Sequence, residues 1–196
     1  MVNKTCLLVF MLAFAGFVHA ADAPRVRPSE WAQPVIATSL DNAFRVDAGV
    51  FRSEQPGVGD LADLKALGLR SLLSLREYHT DSERFAQAGF VLLQHRSSAG
   101  SLTAADAEAI LLLIRDAPKP VLVHCWHGSD RTGLAIAAYR LVFQDWTKDR
   151  AVDELVNGGF GFHASIYPEI VQLVRSLDVP ALKAAVLQPP PGTSAP

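Results

Sequence analysis

The chain has 196 residues, with 18 Lys and Arg against 20 Asp and Glu, and 49 % of it is hydrophobic. That length suits one domain with a sizeable core. A near-balanced charge without a Lys/Arg run excludes an electrostatic nucleic-acid binder. The chain opens with Met1-Val2-Asn3-Lys4, a short positive start, followed by an almost wholly apolar run over residues 6–18. Val18 and Ala20 put small residues three and one before a cut after Ala20, the pattern of a secretory signal peptide over residues 1–20. The apolar run is too short to span a bilayer comfortably. The expectation is therefore a periplasmic or secreted protein, with no stable membrane anchor after cleavage. Loss of Lys4 leaves 17 basic against 20 acidic residues, a formal charge of −3, and Cys125 as the lone cysteine. One cysteine makes neither an intrachain disulfide nor a zinc cluster. It is buried and inert, paired between chains, or chemically active.

Residues 21–42, rich in Pro, Ala and charge near their start, read as an N-terminal arm. Residues 44–46 and 49–52 predict two short strands in a hairpin, and residues 53–57 a turn. A helix over 60–67 stops at Gly68. A strand over 71–75, a polar helix over 80–88 ending at Gly89, and a strand over 90–94 follow. Thr103 is the N-cap of a helix that runs to Ile114. Pro120 introduces a buried strand at 121–124. Helices are predicted over 132–143 and 147–156, with one or two more between 165 and 186. Residues 188–196 are a Pro-rich tail, expected to be disordered. Strands alternating with helices predict a single α/β domain over 43–187, a central, largely parallel sheet flanked by helices.

The stretch from Val121 to Gly133 carries the chemistry. An apolar strand ends at Cys125, a short loop follows, and a helix opens near Thr132. In such sheets ligands bind beyond the carboxyl ends of strands. A helix N-terminus there offers unpaired N–H groups and a positive dipole end, an anion site. Gly128 lets the backbone turn tightly. The helix end and an arginine favour thiolate over thiol at Cys125. Arg131, six residues on, returns a planar guanidinium that binds two phosphate oxygens at once. The loop amides of Trp126, His127, Gly128, Ser129, Asp130 and Arg131 complete the phosphate cradle. His124 shapes the loop or is a satisfied core histidine. Thr132 can offer its hydroxyl to the sulfur. Trp126 and His127 project from the loop, to line a pocket mouth or to pack. Arg52 and Gln55 read mainly as turn residues, with loop support as their alternative. His163 and Tyr167 are weaker candidates for the cleft border.

His124-Cys125 through Arg131-Thr132-Gly133 resembles the Cys-x5-Arg signature of the protein tyrosine and dual-specificity phosphatases. Over residues 46–185 the chain is similar to the small bacterial periplasmic tyrosine phosphatases. The flanking matches are Val50-Phe51-Arg52-Ser53-Glu54-Gln55-Pro56, Ala138-Tyr139-Arg140 and Asn157-Gly158-Gly159-Phe160-Gly161. The resemblance implies a dual-specificity-phosphatase-like fold, a phosphocysteine intermediate, no cofactor, no metal, and a general acid on a movable loop. An exported enzyme of this kind would meet a phosphorylated protein, such as the periplasmic domain of a membrane protein, or extracellular phosphoesters.

Family members usually carry the acid as an aspartate on the loop before the helix that precedes the signature strand. Here that loop, residues 96–102, holds no carboxylate. Asp106 is one candidate, and Thr-x-x-Asp is also a near capping box. Asp130 is the other, with loop ordering as its structural alternative. A weak acid favours a phenol leaving group, pKa about 10, and thus phosphotyrosine. The loop has no lysine, which speaks against multiply phosphorylated inositols. An inositol phosphate phosphatase and a pseudophosphatase that binds phosphoproteins without turnover stand as alternatives. A sulfurtransferase is opposed by Arg131-Thr132-Gly133, and a redox sensor by the lack of a second mature cysteine.

Overall fold

Three four-residue strands that end level with one another place the candidate site. In the computed structural model, which describes residues 26–36 and 38–188, β6 (Val121–His124) lies between β3 (Val50–Ser53) and β4 (Ser71–Ser74). Both pairings are parallel, and Ser53, His124 and Ser74 stand in register. β5 (Val91–Gln94) extends the parallel set beyond β4. β2 (Phe44–Arg45) and β1 (Gln33–Pro34) add antiparallel strands beyond β3. The order is β1-β2-β3-β6-β4-β5.

Alternation along the strands divides the core. Val50, Leu73, Val121 and Val123 pack with Ile110, Ile114, Ala135 and Ile136. Phe51, Leu72 and Leu122 point the other way, onto Leu64 and Phe85. The helices concerned are α3 (Ala104–Asp116) and α4 (Asp130–Phe143) on the first face, and α1 (Leu61–Ala66) and α2 (Ser82–Phe85) on the second. α5 (Lys148–Asn157), α6 (Pro168–Ser176) and α7 (Val179–Leu187) bury a further layer against α3 and α4. A central strand covered on both faces reads as a continuous apolar run, as Val121-Leu122-Val123 does.

The expected α/β architecture is present, with differences at three places. The polar helix predicted over 80–88 shrinks to one turn, because Asp81 turns inward to His124 and caps nothing. α4 begins at Asp130, two residues earlier than predicted, which puts Arg131 in its first turn. The described part of the arm is no loose lead-in. It supplies β1 and buries Trp31 and Ala32. Glu154 explains this: its carboxylate is chelated by Arg140 at 2.6 and 2.8 Å and also accepts the Ala32 N–H at 2.6 Å. Removing one partner of such a buried pair costs about 3–5 kcal/mol, so the arm is tied into the core. The expected signal segment over 1–20, residues 21–25 and the tail from residue 189 lie outside the described residues.

Candidate active site

Because β3, β6 and β4 end level, the segments after Ser53, His124 and Ser74 converge on one rim. Cys125 leaves the middle strand there, is 2 % exposed, and is a free cysteine. The loop after it is held from outside by its carbonyls. The Trp126 carbonyl accepts from the Gln55 N–H at 2.9 Å, His127 from Asn42 Nδ2 at 2.7 Å, and Gly128 from Arg52 Nη2 at 2.6 Å. Ser129 Oγ donates to the Phe160 carbonyl at 2.7 Å. Among the described residues, no acceptor takes the N–H groups of Trp126 through Ser129. Three anchored carbonyls and a run of unclaimed amides beside a helix N-terminus form an anion nest. Gly128 is required twice over. Its φ is +71°, and a Cβ there would lie 2.3 Å from the Ser53 carbonyl oxygen.

Arg52 is fully buried with its guanidinium 3.7 Å from the centre of the Phe160 ring. Burial pulls it down to about 10, against the upward pull of Glu154 and Cys125. It remains a cation at neutral pH and fastens the loop, where the sequence favoured a plain turn residue. His124 is buried, with Nε2 2.7 Å from Asp81 Oδ2 and Nδ1 3.2 Å from the Cys125 carbonyl. Both ring nitrogens thus face oxygens, which fixes the ring beside the nucleophile. Thr132 is fully buried, and its hydroxyl has no hydrogen-bond partner among the described residues. The expected bond to sulfur is not formed in the resting site.

Arg131 Nη1 donates to the carbonyls of Leu75 (3.2 Å) and Ser97 (3.1 Å), joining the segment just after β4 to the 96–102 loop. It borders a cleft of about 230 Å³ with Arg76, Glu77, Tyr78, Ser98, Ala99, Trp126 and Tyr167. Trp126 is 58 % exposed and lies under the Arg76 guanidinium, 4.4 Å from its ring centre. His127 faces a second cavity instead, with Asn42, Ser129 and His163.

Neither candidate acid is free. Asp106 accepts from Thr103 N–H and Oγ1 at 2.8 and 2.6 Å and pairs with His95 at 2.8 Å. Burial alone would raise it, and the Thr103 and His95 bonds more than offset that, so it sits below the usual carboxylate range. Asp130 accepts the His163 N–H at 3.0 Å and lies 2.9 Å from its Nδ1. It is buried and does not border the cleft. Its geometry is that of a loop anchor, because both oxygens are turned to His163. Glu77, half-buried, is the carboxylate among the described residues that lines the cleft. Arg76, Glu77, Asn42 and Asp81 were not singled out from sequence. The usable signal for the first two was their place just beyond a parallel strand.

A buried free thiol at the head of an amide nest, with an arginine six residues on that lines the adjoining cleft, is the arrangement of a cysteine-dependent phosphohydrolase site. The tyrosine phosphatase family model matches residues 39–157. The dual specificity protein phosphatase TpbA of Pseudomonas aeruginosa is 33 % identical over 175 residues, 87 % of this chain and 78 % of that one. The crystal structure of a cysteine-to-serine TpbA in complex with pTyr superposes with a TM-score of 0.75 at 31 % identity, covering 84 % of this chain and all of that one. The inositol diphosphatase DSP3 of Arabidopsis thaliana is 29 % identical over 124 residues, 58 % of this chain and 60 % of that one. The chain belongs to the tyrosine phosphatase family, and it is a hydrolase of the protein-tyrosine-phosphatase type.

Proposed function

We propose that the protein is an exported phosphatase that removes phosphate from tyrosine residues of proteins through a phosphocysteine on Cys125. The observation that carries the reading is the nest itself, three loop carbonyls anchored outward around a buried thiol. In the first step the Cys125 thiolate attacks phosphorus, an S–P bond forms, and the bond to the tyrosine oxygen breaks. Arg131 and the loop amides hold the equatorial oxygens. The departing oxygen takes a proton, and Glu77 is the carboxylate positioned at the cleft to supply it. Water then attacks phosphorus, its proton passes to the Glu77 carboxylate, and the S–P bond breaks with release of inorganic phosphate. As negative charge returns to sulfur, the unpartnered Thr132 hydroxyl supplies a hydrogen bond.

The cleft mouth favours an aryl ester on a protein. Tyr78 is 79 % exposed, and with Trp126 and Tyr167 it offers flat faces to a phenol ring. TpbA, the similar protein, is known in complex with pTyr. The N-terminal apolar segment and Ala20 support export with cleavage. The substrates met there are periplasmic domains of membrane proteins or other exported phosphoproteins.

Inositol diphosphatases among the relatives support a second reading, hydrolysis of an inositol diphosphate. The deciding assay compares a phosphotyrosine peptide, p-nitrophenyl phosphate and an inositol diphosphate, with Cys125→Ser as control. Phosphotyrosine turnover that the control lacks is expected. Turnover of the inositol diphosphate alone replaces the first reading with the second. Phosphopeptide binding without turnover of any substrate leaves a binding module.

A further inference from the structure

Arg76 is the one feature of the cleft that neither catalysis nor packing accounts for. It is 7 % exposed. The other two deeply buried arginines are bonded: Arg52 to the Gly128 carbonyl, Arg140 to both oxygens of Glu154. Among the described residues the Arg76 guanidinium has no hydrogen bond and no ion pair, only the face of Trp126. Burial and the Arg131 charge both hold it below its ordinary value, while Cys125 pulls it up. Arg84 adds to the repulsion, and Asp81 opposes it. A cation with no bonded counter-ion thus lines the cleft beside Arg131, its nitrogens open to whatever enters. The phosphoryl group at Cys125 is already served by Arg131 and the loop amides. One cation is left over, and one more anion would satisfy it through the paired N–H groups of the guanidinium.

We propose that Arg76 is a second anion receptor, which takes the carboxylate of an acidic residue next to the phosphotyrosine of a protein substrate. This rests on the phosphotyrosine reading above and extends it to a sequence preference. A peptide fits better than a polyphosphorylated ring. The cleft has one spare guanidinium, and its mouth is lined by Tyr78, Trp126 and Glu77 rather than by lysines. A ring bearing many phosphates needs more positive charge than that.

The test uses the full chain and two phosphotyrosine peptides that differ in one neighbour of the phosphotyrosine, Asp or Ala. Wild type is expected to favour the Asp peptide by about tenfold in kcat/KM, the scale of one charge-assisted hydrogen bond. The difference should lie in KM and shrink as salt rises. Arg76→Gln should bring the two peptides to within about twofold of each other. Arg76→Lys, a point charge at the same place, should retain part of the preference. No preference in wild type, or a preference kept in Arg76→Gln, overturns the proposal. So does a loss confined to an inositol diphosphate, which would make the second anion a phosphate. Failure of wild type to hydrolyse either peptide removes the phosphotyrosine reading itself, and it shows before Arg76 is altered.

Discussion

Residues 125–131 and residues 96–102 form two walls of one cleft. In the first, nearly every outward-facing polar group is fastened: three carbonyls to Gln55, Asn42 and Arg52, Ser129 to Phe160, Asp130 to His163. In the second, Arg131 holds the Ser97 carbonyl, Ser97 Oγ reaches Leu75 only at 3.4 Å, and residues 96–102 hold no carboxylate. The first wall is therefore pre-organised, and in the proposed mechanism proton delivery falls to Glu77 and not to the second wall. Preorganised donors aimed at developing charge are commonly the largest catalytic contribution, so the first wall should dominate the effects of mutation.

Arg131→Lys attacks that wall at its strongest point. A lysine cannot bridge two phosphate oxygens and also span the Leu75 and Ser97 carbonyls, so kcat/KM should fall on the order of 10²–10³-fold, measured on p-nitrophenyl phosphate. Gly128→Ala comes next. The added Cβ must push against Ser53 in a backbone region alanine avoids, and a displaced loop should lose on the order of 10²-fold in rate. Glu77→Gln sharpens the contrast between the walls. Turnover of a phosphotyrosine peptide should fall by on the order of 10²-fold, and that of the nitrophenyl ester much less, since its better leaving group needs less protonation. The same loss in Asp130→Asn with none in Glu77→Gln would return the acid role to Asp130.

Asp106→Asn should do least to rate and cost up to about 1 kcal/mol of stability, because the side chain caps α3. The sign with pH follows from its depressed value. The contribution is full above the ordinary carboxylate pKa of about 4 and is lost as pH falls through the lower folded value. Thermal unfolding of wild type and variant should therefore converge at low pH.

The more firmly bonded wall was also the more legible one. Val121-Leu122-Val123 and the Cys125-to-Gly133 spacing identify strand, loop and helix from local pattern alone. What holds the loop was not legible, because it comes from far along the chain. Asn42 reaches His127 across 85 positions and Asp81 reaches His124 across 43. No local periodicity reports such bonds. Asp81 was absorbed into an apparent helix because its partner was invisible from its neighbours. β1 escaped notice because two residues, one a proline, give no alternation, and its stability comes from the Ala32–Glu154 bond. Glu77 and Arg76 lacked a motif, and only the level ends of the parallel strands mark them.

The central claim is that Cys125 carries the phosphoryl group during turnover. Rapid acid quench of the protein mixed with a phosphotyrosine peptide, followed by mass spectrometry of its proteolytic fragments, tests this directly. A phosphoryl adduct on the fragment that contains Cys125, formed and lost at the rate of turnover and missing in Cys125→Ser, is the expected result. Turnover at full rate with no adduct in wild type, or undiminished turnover in Cys125→Ser, would contradict it.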